Sequence, residues 1–314
     1  MDDTHTSHLT PFSFDLLRPR LQGIAYRMLG SVAEAEEVVQ DAWLRWHGAD
    51  QAELDNPEAW LVTVTTRLAI DRLRAAKQQR IHYPGFWLPE PQLDEGDIHS
   101  SPASPEQLLE RADDISVAFL ALLERLTPEA RAAFLLREIF DAEYSEVAKA
   151  LGKSETACRQ IVSRAKLQLK DARPRHTVSS DQHFRLLSGF ADAARRGDFA
   201  AMQALLVEDA ELIGDGGGKV PSFGKVLLGG KRIAQLFLAT HMRHGAVQRI
   251  EMAVINGQWS LLRFIDGELE SVQAFETDGE RILRLHVQRN PDKLARIAMI
   301  FANRHSDGDG NDAA

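Results

Sequence analysis

Cysteine is almost missing from the chain: Cys158 stands alone among 314 residues. That excludes a disulfide framework and fits a reducing compartment. No apolar run approaches the ~18 residues that a membrane span requires. No basic-then-apolar leader opens the sequence, so a soluble cytoplasmic protein with no membrane partner is expected. Aromatic residues are sparse at 7%, while 44% hydrophobic and 26% charged residues match ordinary globular composition. A disordered chain and a fibrous repeat are therefore excluded. At ~150 residues per domain the length predicts about two domains. The net charge of −9 speaks against nucleic acid as a partner until it is resolved along the chain.

Resolved by segment, the charge has a pattern. Residues 1–66 hold 4 Lys+Arg against 11 Asp+Glu. Residues 67–80 reverse this, with Arg67, Arg72, Arg74, Lys77 and Arg80 against Asp71 alone. Residues 88–114 hold 8 acids and only Arg111, and residues 153–176 hold 7 bases against Glu155 and Asp171. Residues 177–314 are almost neutral. An acidic chain thus carries two short basic segments.

The apolar spacing of the first half is helical throughout. Phe14, Leu17, Leu21, Ile24, Ala25 and Met28 form one stripe, which Pro19 is expected to split into a lead-in and a main helix. Gly30 stops it, and Ser31 with Glu34 makes a capping box for the next helix. That helix buries Ala35, Val38, Val39, Ala42, Trp43 and Trp46 and turns Glu36, Glu37, Gln40, Asp41 and Arg45 outward. A third helix over 57–80 carries Leu61, Val64, Leu68 and Leu73 inward. Residues 82–105, with five prolines and no period, read as a linker. Helices resume from Ser104 to Leu126, from Thr127 to Phe140, from Ser145 to Leu151 and from Ser154 to about Asp171.

Beyond Arg173-Pro174-Arg175 the texture becomes α+β. Helices are expected at 181–196, 198–206, 230–243 and 291–303. Strands are expected at 210–213, 225–228, 247–255, 258–265, 268–276 and 281–289, with turns at Asn256-Gly257, Asp266-Gly267 and Asp278-Gly279. The polar end from residue 304 is expected to be disordered.

Two segments carry chemistry suited to DNA. YSEVAKALGKSETACRQIVSRAKLQLK at 144–170 has the layout of a helix-turn-helix: Ala148 at the crossing, Gly152 in the turn, and Val147, Leu151, Ile161 and Ala165 inward. Lys153, Ser154, Thr156, Arg159, Gln160, Ser163 and Arg164 are left on the outer face, where side chains reach base edges and phosphates. An ordinary hairpin with a solvated basic face is the alternative. PEAWLVTVTTRLAIDRLRAAKQQR at 57–80 places Trp60 near the arginines, the pairing of stacking surface and cation that captures single strands; a solvated face is again the alternative.

LQGIAYRMLGSVAEAEEVVQDAWLRW at 21–46, WLVTVTTRLAIDRLR at 60–74 and the helix-turn-helix together resemble the extracytoplasmic-function (ECF) sigma factors of bacterial RNA polymerase. WLPEP at 87–91, DGGGK at 215–219 and NPDKL at 290–294 are similar to motifs of the SigJ-like subgroup, which carries a fused C-terminal SnoaL-like (NTF2-type) domain. The resemblance implies a multidomain chain: two all-α sigma domains, the second with the helix-turn-helix, then an α+β SnoaL/NTF2-like cone with a curved, mostly antiparallel sheet. The implied limits are 10–82 for region two, 83–105 for the linker, 106–175 for region four, 180–303 for the cone and 304–314 for the tail.

The resemblance also implies roles. Glu37, Gln40, Asp41, Leu44 and Arg45 would dock on core RNA polymerase. Trp60, Arg67, Asp71, Arg72, Arg74 and Arg80 would open and read the promoter −10 element, with Arg67 standing where many ECF sigma factors have asparagine. Lys153, Ser154, Thr156, Arg159, Gln160, Ser163 and Arg164 would read the −35 element. The acidic linker would suit a basic RNA channel of polymerase, or is simply a solvated loop. Trp87, Leu88, Pro89, Glu90 and Pro91 are expected to dock on the cone. Asp215, Gly216, Gly217, Gly218 and Lys219 would form a tight turn with charges for an inter-domain ion pair. Asn290, Pro291, Asp292, Lys293 and Leu294 open a helix and would join the regulatory interface.

No catalytic residue, cofactor or metal is expected. DGGGK lacks the spacing of a phosphate loop. Asp307, Asp309 and Asn311 imitate a calcium loop, but Asp312 stands where glycine is required. His241, His244, Trp259, Arg263 and His286 are the candidates for a pocket in the cone, for catalysis or for an unidentified small ligand. His241 and His244 at i, i+3 lack a carboxylate-rich partner for a metal. The expected function is promoter-specific initiation under control of the C-terminal domain. The alternatives are a one-component helix-turn-helix regulator, which leaves 21–80 unexplained, and a SnoaL-like isomerase or cyclase, which leaves both basic segments unexplained.

Overall fold

A computed structural model describes residues 13–80, 82–93, 115–170 and 178–308. The expectations for residues 94–114, for Arg173 and Arg175, and for residues 309–314 lie outside the described residues. The chain forms two compact units, one from residues up to Ala75 with Pro128–Arg164, the other from Ala76–Thr127 with Ala165 onward. The units cut across the expected domain limits, because two helices pass from one unit into the other.

The first unit is helical. Helices α1 (Phe14–Leu29) and α2 (Val32–His47) pair through Leu21, Ile24, Ala25 and Met28 on one side and Ala35, Val38, Val39 and Ala42 on the other. Gly30 ends α1 at φ 67°, returning its N–H to the Tyr26 carbonyl, and Ser31 Oγ accepts from the Glu34 N–H. Pro19 does not split α1. It lies in the second turn, where its missing N–H removes one bond near an end that is already short of partners. Trp43 corrects a second expectation, being 36% exposed rather than buried.

Helix α3 (Pro57–Arg80) buries Leu61, Val62, Thr65, Thr66, Ala69, Ile70 and Leu73. Val64 and Leu68 are only half-buried, so the buried face is rotated from the expected stripe and includes two threonines. After α4 (Val117–Leu123) of the second unit come α5 (Pro128–Glu138), α6 (Tyr144–Leu151) and α7 (Glu155–Lys170). The buried Arg131 of α5 donates to the Met28 carbonyl at 2.7 Å, locking α5 to the end of α1. Gly152 takes the turn between α6 and α7 at φ 63°, and Ser154 Oγ accepts from the Ala157 N–H. The core face of α7 is Cys158, Val162, Ala165 and Leu169. Ile161, expected inward, is half-buried.

The second unit is built on a six-stranded sheet in the order β2-β1-β6-β5-β4-β3. Its strands are β1 (Leu206–Asp215), β2 (Leu227–Leu228), β3 (Gln248–Ile255), β4 (Gln258–Ile265), β5 (Glu268–Thr277) and β6 (Ile282–Gln288). All neighbours are antiparallel except β1 with β6. Asn256-Gly257 and Asp266-Gly267 make the two tight hairpins, all four residues at positive φ.

Alternation along the strands gives two cores. On one face α8 (Ser180–Arg196), α9 (Phe199–Ala204) and α10 (Gly230–His244) pack around Phe190, which meets Phe237 and Phe275 edge-on at 5.0 and 5.6 Å. On the other, Leu294, Ile297 and Phe301 of α11 (Pro291–Gly308) cover Ile255, Leu262, Phe264 and Val272. Helix α11 continues five residues past the expected end at Asn303. Neither glycine nor proline interrupts it before Gly308, which corrects the expectation of disorder over 304–308.

Candidate nucleic-acid interface and linker clamp

In the first unit the outer face of α2 exposes Glu37, Gln40, Leu44 and Arg45, with Asp41 half-buried. Leu44 is 55% exposed beside Trp43, an apolar spot in an acidic rim. All the expected −35 residues, Lys153, Ser154, Thr156, Arg159, Gln160, Ser163 and Arg164, are exposed along the turn and α7. Arg159 is partly engaged, bonding Glu155 at 3.1 Å and lying 4.2 Å from the centre of the Tyr144 ring.

The arginines of α3 are not free. Arg67 donates from Nε to the Ala150 carbonyl at 3.0 Å and from Nη2 to the Lys149 carbonyl at 2.7 Å, at the end of α6. A planar guanidinium matches two such acceptors. Arg72 bonds Glu37 and, at 3.0 Å, Asp41 of the α2 face. Burial opposes the charge of Arg72, but these two carboxylates outweigh it and raise its pKa. Arg74 reaches Glu129 of α5 at 2.5 Å and Asp71 at 3.0 Å. Its bond holds the Glu129 carboxyl below the usual carboxylate range. Trp60 is half-buried, its ring 6.0 Å from that of Trp46. The structure thus gathers the expected −10 arginines on one helix and occupies each with partners in its own unit.

The second unit clamps the linker. Arg80 bonds Glu124 at 2.6 Å and lies 3.6 Å from the centre of the Trp87 ring, while Lys293 Nζ lies 4.2 Å from the same ring. Two cations therefore flank one indole. Leu88 is 2% exposed. Asp215, fully buried, collects five donors: Tyr83 Oη at 2.6 Å, the Leu88 N–H at 2.9 Å, the Gly217 N–H at 2.9 Å, Gln288 Nε2 at 3.2 Å and Lys293 Nζ at 2.8 Å. Burial alone would raise the Asp215 carboxyl. The Lys293 ammonium and the Tyr83 and Leu88 donors outweigh it and hold the group below its ordinary value. Tyr83 is pushed up, by burial first and by its bond to Asp215 second.

Other atoms of the three motifs close the same clamp. Lys293 Nζ donates to the Leu88 carbonyl at 2.7 Å, and Gln288 Nε2 to the Leu88 and Pro89 carbonyls. Asn290 Nδ2 donates to Tyr83 Oη at 3.1 Å. Gly217 and Gly218 have φ of 62° and 72°, and a Cβ there would collide with the Asn290 side chain and the Pro84 ring. The glycines thus serve a tight turn and a close approach at once. Lys219 pairs with Asp292 at 2.6 Å, within the domain rather than between domains as expected. Further along, Asn256 bonds Gln92 in both directions and Leu93 bridges to Ile255, so the linker extends the β3 edge.

Tyr83, Gln288, Asn256 and Glu129 make contacts in the clamp and on α3 that sequence reasoning missed. A polar residue at a core-facing strand position was the available signal for Gln288. Of the pocket candidates, His244 and Arg263 line the cavity of the cone. Trp259 instead packs on Phe184 at 4.9 Å, and His286 is buried beside Glu276, its pKa pulled down to about 3 chiefly by burial. His244 and Arg263 thus share one cavity, while Trp259 and His286 are not part of its lining. Among the described residues no cluster of metal ligands forms, and no helix is long and apolar enough to cross a membrane.

Comparison with known proteins agrees with this layout. The family profile of Sigma-70 region 2 matches residues 14–79 and that of Sigma-70, region 4 matches residues 116–169. The ECF RNA polymerase sigma factor SigJ of Mycobacterium tuberculosis is 35% identical over 296 residues, covering 90% of this chain and 92% of its own. The probable ECF RNA polymerase sigma factor SigI of the same species is 29% identical over 279 residues, covering 88% and 92%. The crystal structure of M. tuberculosis SigJ superposes with a TM-score of 0.72 at 32% identity, covering 90% of this chain and 97% of that one. The region-2 match accounts for the segment that a one-component regulator leaves unexplained.

Proposed function

The chain belongs to the ECF RNA polymerase sigma factors, and from that premise we propose that its two units divide promoter reading from its control. As a sigma factor it binds core RNA polymerase and directs initiation at promoters, a task performed in the cytoplasm. The α2 face of Glu37, Gln40, Asp41, Leu44 and Arg45 docks on polymerase. Trp60 with Arg67, Asp71, Arg72, Arg74 and Arg80 meets the −10 element, and the outer face of α7 meets the −35 element. Basic side chains supply the salt-dependent phosphate attraction, and a few of them supply sequence choice.

The C-terminal domain controls these modules in cis by fixing the linker between them. The buried Asp215 carboxylate carries this reading, because its five donors come from the linker, the DGGGK turn, β6 and α11. Run-off transcription tests it, with core polymerase and a promoter selected from a randomised −35/−10 library. Full-length protein, a chain ending before Asn290 and one ending near Arg175 are compared. Different activities are expected, and equal activity of all three removes the control function.

The occupied arginines and the net charge of −9 also predict weak binding of free promoter DNA by the isolated protein. Tight binding of a −10/−35 duplex without polymerase would contradict the assignment.

A further inference from the structure

The sheet and α10 line a partly open cavity of about 680 Å³, a size that suits a small organic molecule. Much of its wall is apolar, with Leu212, Phe223, Leu236, Phe237, Ile265 and Val287. Its charged groups do not balance. Glu270 accepts from Arg263 Nε at 2.8 Å, lies 2.7 Å from its Nη2, and also pairs with Arg289. Two guanidinium groups therefore share one carboxylate. Burial would raise the Glu270 carboxyl, but the two cations hold it down, so it is ionised and the cluster keeps one positive charge. Arg243 and Glu268, both exposed on the lining, cancel each other in the count.

Donors are also left over. Arg263 is 9% exposed, and its Nη1 has no protein partner. Arg289 Nε is a buried donor without a partner, and Gln273 Oε1 is a buried acceptor without one. A surplus cation in a low-dielectric site calls for an anion. The apolar wall calls for an apolar body attached to it.

The same residues lead to the linker. Arg289 donates to the Pro221 carbonyl, and its own N–H bonds the Asp215 carbonyl at 2.7 Å. The preceding residue, Gln288, holds Leu88 and Pro89. Gly214, Pro221, Ser222 and Phe223 line the cavity, while the intervening Asp215–Lys219 turn grips the linker. One loop thus has the cavity on one side and the clamp on the other.

We propose that this cavity binds a small, mostly apolar organic carboxylate, with its charge on Arg263 and Arg289, and that the 214–223 loop carries occupancy to the linker. The binding is independent of the control function proposed above; only the effect of linker release on transcription rests on it.

Calorimetry on the full-length protein tests the binding with 1-naphthoate, its neutral analogue 1-naphthalenemethanol, and inorganic phosphate. One naphthoate per chain is expected, bound about tenfold or more tighter than the alcohol and not displaced by phosphate. Ala239→Trp, at an exposed lining position of α10, should abolish binding, and Arg263→Gln should erase the preference for the acid. Equal affinity for acid and alcohol, displacement by phosphate, binding that survives Ala239→Trp, or no binding at about 1 mM overturns the site. Limited proteolysis over 83–93 tests the transmission. Saturating naphthoate should change the cleavage rate of the wild type and not of Ala239→Trp. An unchanged rate in the saturated wild type overturns the coupling. No arm uses polymerase, so failure here leaves the Asp215 transcription test intact.

Discussion

The arginines of α3 and the carboxylate of Asp215 are all fully partnered, yet the partnerships differ in kind. Arg74 is 56% exposed against a Glu129 that is 30% exposed, and Arg72 is 28% exposed against a Glu37 that is 64% exposed. Water and salt compete at every one of these bonds, so each is weak and exchangeable. Asp215 and Lys293 are 0% and 12% exposed; the carboxylate also accepts from backbone, amide and phenol donors, and the ammonium also donates to the Leu88 carbonyl. A buried pair of that kind resists removal of one partner far more than an exposed pair does. The contrast fits the proposed reading, in which the cations of α3 exchange an intramolecular acceptor for a phosphate while the linker clamp stays shut until something specific opens it.

The largest expected effect lies on the buried side. Asp215→Ala leaves the Lys293 ammonium without its counter-charge and three linker or turn donors without an acceptor, and should lower stability by about 3–5 kcal/mol. Denaturant unfolding measures the loss, and protease cleavage over 83–93 should rise with it. If the linker stays protected, the clamp does not depend on its central carboxylate, and the contrast collapses.

Acid should separate the two units next. His183 and His286 are buried in the second unit with pKa values pulled down to about 4 and about 3, mainly by burial. Both groups are neutral in the folded state and take up a proton more readily when unfolded. Their contribution is therefore complete above the unfolded value of ~6.5 and is lost as pH falls towards the folded values, by at most about 1.4 kcal/mol per pH unit for each histidine. Unfolding followed at pH 7, 6 and 5 should show the second unit weakening, with His183→Gln and His286→Gln flattening the slope. A slope unchanged by both substitutions would place the acid sensitivity elsewhere.

A smaller effect is expected inside α3. Thr65 and Thr66 are fully buried, and their hydroxyls have no partner. Replacing a buried, unpaired hydroxyl by a methyl of the same shape removes a desolvation cost, so Thr66→Val should stabilise the first unit by about 1 kcal/mol. If run-off transcription falls while stability rises, the hydroxyl is kept for the polymerase-bound state.

These threonines also mark where the sequence was hard to read. Strand β4 begins and ends as expected, since alternation and the Asn-Gly and Asp-Gly turns fix it from both sides. The helix phases were less legible. A stripe chosen by hydrophobicity put Leu68 and Ile161 inward, whereas packing selected Thr65, Thr66 and Cys158. The clamp was half visible: WLPEP, DGGGK and NPDKL stood out as motifs, but Tyr83 carries no local mark and Gln288 only that of a polar residue at a core-facing strand position. Their partners lie 132 and 200 residues away, and only the folded sheet brings them together. The occupied state of the arginines was invisible for the same reason, since Arg67 finds its acceptors 83 and 82 residues along the chain.

The smallest expected effect tests the exposed side of the contrast directly. Glu129→Gln removes a partner of Arg74 without altering any residue assigned to DNA. Because the pair is exposed, global stability should hardly move. The freed guanidinium should raise the affinity of the isolated protein for single-stranded −10 DNA a few-fold, and the gain should vanish at high salt as phosphate attraction is screened. Fluorescence anisotropy at two salt concentrations measures both. An affinity that is unchanged at low salt would mean that Glu129 does not compete with phosphate for Arg74. The arginine contacts would then be as fixed as the clamp itself, and release would have to come from movement of the whole helix rather than from exchange at single side chains.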